Sequence, residues 1–291
     1  GILGTQGPEP GQLEYYVPQA TGYRRVFGLP LDAFWCCYGT GVETWSRLTD
    51  SIYFHDDDSL TVSQFIASTL RWADKGVEIE QITRFPYEEG AAFVVGAAAP
   101  VPFTLRVRIP EWVAGPVRVT VNGEVQDQLS PAPGSFLALE REWRDGDRVT
   151  LSLPMALHAW PMPDDPNLVA LMYGPVVLAG LLDEPGSVPP ATSSSATEPM
   201  PVTDLVPRYA FLADTVEDLS WLERQGEGLV FQTVGQPTEM TFVPFCEVVG
   251  ERYGLYWPVV PEGSDRHAIL ERENEAIAFL REARAFAAGD P

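Results

Sequence analysis

Phe103-Thr104-Leu105-Arg106-Val107-Arg108-Ile109-Pro110 is followed a few residues on by Val117-Arg118-Val119-Thr120-Val121-Asn122-Gly123. Polar and apolar side chains alternate through both runs, with many β-branched residues, the pattern of a half-buried strand. Arg106, Arg108 and Arg118 take alternate positions and are expected to face solvent. The surroundings repeat the texture: "LTVSQFIASTL", "GVEIEQITRFP" and "AAFVVGAAA" before, "SFLALEREW" and "DRVTLSLP" after. Glu89-Gly90, Asn122-Gly123 and Asp145-Gly146 punctuate these runs at roughly the 8–12-residue rhythm of an antiparallel sandwich or barrel. The pattern predicts a β-sandwich over residues 59–160.

Further along, "LVALMYGPVVLAGLL" predicts two nearly wholly apolar strands around Gly174-Pro175, and "DEPGSVPPATSSSATEPMP" (183–201) a Pro/Ser/Thr-rich loop. Strands resume in "GLVFQTV", "MTFVPFCEVV" and "RYGLYWPVV", giving a second β-sandwich or returning strands over 161–257. The tail, 258–291, predicts a short C-terminal helix at about 268–287. Ser264 and Asp265 are its cap candidates, Ile269, Leu270, Ile277, Leu280 and Phe286 its loose apolar stripe, and Gly289 its close. The fold class is mainly β.

Toward the N-terminus the period changes. In "TGVETWSRLTDSIY" (40–53), Val42, Trp45, Leu48, Thr49 and Ile52 recur at three and four, predicting a helix over about 40–54. Thr40 and Glu43 have the spacing of a capping box, and His55-Asp56-Asp57-Asp58 forms a polar stop. Cys36-Cys37 then precedes a helix N-terminus, where backbone N–H groups favour thiolate over thiol. The first thirty residues have neither a basic nor an apolar leader-like stretch and read as loop interior to a larger structure, which leaves the compartment, cytoplasmic or secreted, open.

The charge balance is acidic, 19 Lys plus Arg against 41 Asp plus Glu, a formal net of -22. Such a field repels polyphosphate and anionic lipid, so neither nucleic acid nor membrane is an expected partner, whereas a neutral sugar is indifferent to it. No apolar run approaches the ~18 residues of a membrane span.

Cys36 and Cys37 are two of only three cysteines, the third being Cys246. A bond between the adjacent pair would be strained, because their Cα atoms lie about 3.8 Å apart. Buried inert thiols, metal ligation and nucleophilic catalysis all remain open on the residues alone. A metal site needs at least three ligands; the pair supplies two, and no CxxC or HxxxH accompanies it. His55, His158 and His267 read as solvated or structural. Glu43, one turn into the helix, serves either the capping box or a site near the thiols.

At these residues a resemblance enters. "FWCCYGTGVETWSRLTDSIYFHDDDSLTVSQFIASTLRW" resembles the Cys-Cys segment of the β-L-arabinofuranosidase-like glycoside hydrolases, families 127 and 146, closer to the latter in its "GTGVE" continuation. The likeness persists through "FTLRVRIPEWV", "VTVNGE", "EWRDGDRVTLSLPM", "ALMYGPVVLAG" and "ERYGLYW", about 34–257. It implies β-sandwich domains preceded by the last helical segment of an (α/α)6 barrel, with 1–58 the end of the catalytic domain. It also implies zinc held by one Glu and three Cys, with Cys36 as nucleophile and ligand and Cys37 as ligand; Glu43 is a supporting candidate from its place in the helix alone. The reaction would retain configuration through a glycosyl-thioether. The family's other Cys and Glu ligands and its acid/base Glu lie upstream of the Cys pair. Here 35 residues precede Cys36 without a cysteine, and Glu9 and Glu14 match no motif. The expectation is therefore a fragment that is inactive alone and self-associates through its barrel remnant. A different class of reading is a non-catalytic β-sandwich module, packing on a partner or holding carbohydrate through Trp112, Trp143 or Trp160.

Overall fold

The computed structural model describes residues 5–194 and 205–288. Gly289 and the end of the 183–201 loop lie outside the described residues. The chain forms two compact units, one of residues 44–156 and one joining 1–43 to 157–291. The divisions thus fall after residues 43 and 156, where the sequence reading places boundaries at 58 and 160.

The 44–156 unit is a two-sheet sandwich. One sheet has four strands, in the order Ser135–Trp143, Val101–Ile109, Ser59–Val62, Tyr53–His55. The other has six, Ser68–Trp72, Val77–Ile82, Gly90–Ala97, Arg148–Ser152, Arg118–Val121, Glu124–Val125. Pairing is antiparallel except between Ser59–Val62 and Val101–Ile109, which run parallel. Alternation sets the faces: Phe103, Leu105, Val107 and Ile109 are buried, Arg106 and Arg108 exposed. Burying such a set contributes about 1.5–3 kcal/mol for each large side chain.

Asn122-Gly123 forms the tight hairpin its sequence predicts, with φ of 53° and 84° and Val121 paired to Glu124. The Asn122 side chain donates to Asp147 (2.8 Å) and accepts from the Arg148 amide (2.8 Å), tying this turn to the next. Gly90 stands at φ 144°, and a Cβ there would run into the Leu151 carbonyl oxygen of the paired strand. Gly90→Ala should therefore lower the unfolding free energy by roughly 2–4 kcal/mol. Urea denaturation checks this; an unchanged midpoint would refute it.

Trp143 corrects an expectation. It sits on the inward register of Ser135–Trp143 with Leu137 and Leu139, is fully buried, and donates its indole N–H to the Phe103 carbonyl at 2.9 Å. It is a core residue and cannot form a surface sugar platform. Trp112 is half-buried and stacked on Phe85, and Trp160 is exposed.

In the other unit, Leu168–Tyr173 and Val176–Leu181 form the hairpin around Gly174-Pro175. Val176–Leu181 is buried at five of its six residues, as a continuous apolar run requires, and Leu168–Tyr173 at Val169, Ala170 and Leu171. They lie inside a nine-stranded sheet that runs Phe211–Leu212, Tyr256–Val260, Leu168–Tyr173, Val176–Leu181, Thr241–Pro244, Val230–Thr233, Leu222–Gln225. Leu157–Pro161 and Tyr253–Gly254 pair at its sides. The N-terminal segment is woven in. Val26–Gly28 pairs in parallel with Ala191–Ser193, and Tyr23 bridges Tyr253. Arg25 is buried, bonding Glu14 at 2.7 Å and the Val248 carbonyl at 2.8 Å.

The described residues include two α-helices with both ends defined, α1, Cys36–Ser46, and α2, Asp265–Ala288. Ser264 caps α2, its hydroxyl accepting the His267 amide at 3.2 Å. Leu270, Asn274 and Ile277 are partly covered, while Phe279, Leu280 and Phe286 are exposed.

The start and end of α1 differ from the expected 40–54. It begins at Cys36, because Tyr38 is buried and its hydroxyl closes on Gly28, which pins the first turn. Thr40 consequently lies inside the helix, its hydroxyl donating to the Cys36 carbonyl at 3.3 Å, so the expected Thr40–Glu43 capping box does not form. The helix stops at Ser46, and a 3-10 turn at Leu48–Ser51 leads into Tyr53–His55, which pairs with Ser59–Val62. Strand pairing overrides the helical period there. Of the stripe, only Ile52 is buried.

Candidate active site

Cys36 and Cys37 occupy the first turn of α1, both exposed and unbridged; Cys246, half-buried, is also unbridged. The turn Leu29–Ala33 delivers the chain to Trp35, whose carbonyl receives the Tyr38 and Gly39 amides. Tyr15 comes from the N-terminal loop. Its hydroxyl lies 3.5 Å from the Cys36 sulfur, and its ring meets Trp35 at 5.6 Å and Tyr38 at 6.0 Å. Three aromatic rings therefore fix the position of one thiol. The Tyr15 hydroxyl, followed by the Cys37 thiol, holds the Cys36 thiol below its ordinary pKa, while the Tyr15 phenol is pushed up in return. A hydroxyl that donates to sulfur stabilises the anion.

The two sulfurs are 3.8 Å apart. A tetrahedral zinc with Zn–S bonds of about 2.3 Å separates two of its sulfurs by about 3.8 Å, so the pair matches one edge of such a site. The set is not completed: among the described residues no group of three or more His, Cys, Asp or Glu gathers as a metal would require. Glu43 lies exposed two turns along α1 from Cys36 and joins no such group.

The histidines lie apart from this chemistry. His55 packs on Trp72, 5.5 Å between rings. His158 lies in Leu157–Pro161. His267 is tucked at the start of α2, its Nδ1 accepting from Gly263 at 3.0 Å. Tyr15 and the Glu14–Arg25 pair behind it escaped the sequence reading. The adjacent aromatics of Tyr15-Tyr16 in a loop were the available signal.

The fold is thus a mainly β chain with a two-sheet sandwich over residues 44–156, and the candidate site is a pair of vicinal thiols at the first turn of α1. Residues 59–155 match the family described as Beta-L-arabinofuranosidase, GH127 middle domain. This coincides with the central part of the resemblance read from the sequence. Among solved structures, the chain is similar to Ara127N-Se, a GH127 beta-L-arabinofuranosidase from Geobacillus stearothermophilus T6. The TM-score is 0.55 at 21% identity, covering 77% of this chain and 37% of that one. It is also similar to a protein described as a glycoside hydrolase, with TM-score 0.59 and 18% identity over 89% of this chain and 46% of that one. A GH127 beta-arabinofuranosidase gives the same score and identity over 89% and 45%. The chain thus spans less than half the length of these structures, and at such identities the likeness is one of fold. No curated protein matches the chain.

Proposed function

We propose that the chain is the C-terminal part of a retaining glycoside hydrolase acting on β-L-arabinofuranosides or related plant-type glycans, with Cys36 as nucleophile. The observation that carries this is the exposed Cys36 thiol at a helix start, 3.5 Å from the Tyr15 hydroxyl and below its ordinary pKa. The match of residues 59–155 to the GH127 middle domain supports the substrate class.

The residues support a two-step displacement. The Cys36 thiolate attacks the anomeric carbon, a C–S bond forms, and the bond to the leaving oxygen breaks as that oxygen takes a proton from a carboxylic acid. Water then attacks the same carbon, the C–S bond breaks, and the water proton passes to the carboxylate, so two inversions give retention. Tyr15 orients the sulfur and returns a hydrogen bond to it as it departs. Zinc, when bound, would take Cys36 and Cys37 as two ligands and supply charge that keeps sulfur ionised. The described residues do not complete its ligand set, and no step here is routed through it.

The test is intact-mass analysis of the whole protein during turnover of an aryl β-L-arabinofuranoside. A pentosyl adduct mapping to Cys36 is expected. Turnover with no adduct at Cys36 in rapid-quench samples, and full activity after Cys36 alkylation, would overturn the assignment.

The isolated 291-residue chain should hold substoichiometric zinc and show almost no hydrolysis. It should also self-associate, since Leu31, Phe34 and Val42 around the thiols are exposed and a contiguous apolar surface favours association. Sedimentation at high concentration and metal analysis check both; a strict monomer with one tightly held zinc would refute them. The module reading rests on exposed Trp160; it would be favoured if the whole protein bound glycans and cleaved none.

A further inference from the structure

The two sulfurs in the first turn of α1 have a chemistry of their own, apart from any sugar. Both thiols are exposed and unbridged, and their sulfurs stand 3.8 Å apart on neighbouring residues, close to van der Waals contact. Accessible thiols with a second sulfur in reach are the ones that peroxide oxidises reversibly. The second sulfur intercepts the first oxidation product before more oxygen is added, whereas an accessible thiol with no such neighbour goes on to sulfinic and sulfonic acids.

The position of the pair decides how lasting the product is. A bond has to close from 3.8 Å to about 2.05 Å, at a Cα spacing below the ordinary disulfide range. Strain of this kind makes the bond more reducible, so it yields readily to a dithiol. The peptide that has to distort joins Cys36 to Cys37 at the very start of α1. Its N–H is among the first amides of the helix and has no partner within it to lose. The Tyr38 and Gly39 amides are held from outside the pair, by the Trp35 carbonyl at 3.0 and 3.3 Å.

We propose that Cys36 and Cys37 form a reversible thiol–disulfide switch, closed by hydrogen peroxide and reopened by dithiols, that shuts off the site while closed. One sulfur attacks the peroxide, the O–O bond breaks, and the departing oxygen leaves as water with the thiol proton, giving a sulfenic acid. The second thiol attacks that sulfur, the S–O bond breaks, a second water departs with its proton, and the S–S bond forms. Two thiols lose two electrons in all, and one peroxide is reduced to two waters. A sulfur in the closed bond has no thiolate to offer an anomeric carbon. The loss of activity rests on the proposed role of Cys36, whereas the oxidation itself does not.

The probe is hydrogen peroxide, added to the dilute 291-residue chain and to the whole protein. The mass of the chain should fall by about 2 Da, and two of its three thiols should stop reacting with iodoacetamide until dithiothreitol restores them. Peptide mapping should place the link between Cys36 and Cys37, and Cys246→Ser should behave as wild type. Cys37→Ser should instead gain about 16 Da per added oxygen and, once past the sulfenic stage, recover little with dithiothreitol. Circular dichroism checks the fold of each variant. A link to Cys246 or between chains, or a wild type that over-oxidises as fast as Cys37→Ser, would overturn the switch.

In the whole protein, hydrolysis of an aryl β-L-arabinofuranoside should fall about tenfold or more as the closed form accumulates, and return with dithiothreitol. Full activity of the closed form would overturn the shut-off together with the proposed nucleophile. An active whole protein that never forms the Cys36–Cys37 bond would overturn the switch alone and leave the nucleophile standing.

Discussion

Cys36→Ser in the whole protein should abolish hydrolysis of aryl β-L-arabinofuranosides, lowering kcat by roughly 10³-fold or more, while leaving the circular-dichroism spectrum and urea midpoint unchanged. The fold is indifferent because the sulfur is exposed and makes no core contact. Chemistry is not, because a serine hydroxyl beside Tyr15 has no comparable route to its anion at neutral pH. Tyr15→Phe tests the positioning separately. Removing the hydroxyl 3.5 Å from the sulfur should shift the acidic limb of the kcat/KM–pH profile upward, with a smaller loss of rate. Activity of Cys36→Ser within a few-fold of wild type would rule out the nucleophile assigned here.

Arg25→Met should be the most damaging single substitution in the N-terminal segment, costing about 3–5 kcal/mol, since it strands the Glu14 carboxylate in the interior. Both side chains are essentially inaccessible, and Arg25 also lies over the Phe27 ring at 5.0 Å and bonds the Val248 carbonyl. Each partner has one buried polar atom left over, Glu14 Oε1 and Arg25 Nη2. Burial pushes the Glu14 carboxyl up to about 7 against the pull of Arg25. Between about 4.5 and 7 the folded chain therefore keeps a proton that the unfolded chain has lost. That favours folding below this window, and the advantage fades as pH rises through 7. Tyr38 and Tyr253, the other groups facing Glu14, are raised mainly by burial and stay neutral throughout.

Asp183 and Asp165 act in the opposite direction. Hydrogen bonds from Arg252 and Arg266 hold them below the ordinary carboxylate range, and their contribution disappears on acidification. Thermal stability should thus peak at acidic pH, about 4–5, above the range where Asp165 and Asp183 are protonated and at the foot of the window where Glu14 loses its advantage. The Arg25→Met defect should be larger at pH 8 than at pH 5, and Glu14→Leu in the same chain should recover much of it. A loss below about 1 kcal/mol, equal at both pH values, would show that the pair is not the anchor described.

What the sequence made legible was local. Alternation marks Val101–Ile109 and its neighbours, Asn122-Gly123 marks its hairpin, and Ser264 marks the cap of α2, because each signal is complete within a few residues. The errors arose where distant chain decides. Trp143 is an aromatic at a strand end until pairing with Val101–Ile109 turns it inward. Cys36 precedes a helix until Tyr38 finds Gly28 and draws the first turn back by four residues. Glu14 and Arg25 look like loop charges until Val248 and Phe245 close over them. In the candidate site, the thiols were visible as a pair, but Tyr15 was not, since nothing short-range connects positions 15 and 36.

The parallel pairing of Val26–Gly28 with Ala191–Ser193, reinforced by Tyr23 on Tyr253 and Arg25 on Val248, imposes an order on biosynthesis. The scaffold beneath the vicinal thiols consists of residues translated long after the thiols themselves. At about 5–20 residues per second, the partners of residues 23–28 emerge on the order of 10–50 s later. For that interval Cys36 and Cys37 sit on a segment whose later partners within residues 191–253 have not been made. A ribosome stalled shortly before residue 190 would carry a finished 44–156 sandwich but a Cys36 whose setting against Tyr15 lacks its later supports, so pulse-labelling of nascent chains with a thiol reagent at neutral pH should show Cys36 reactivity that rises only after residue 253 has cleared the exit tunnel.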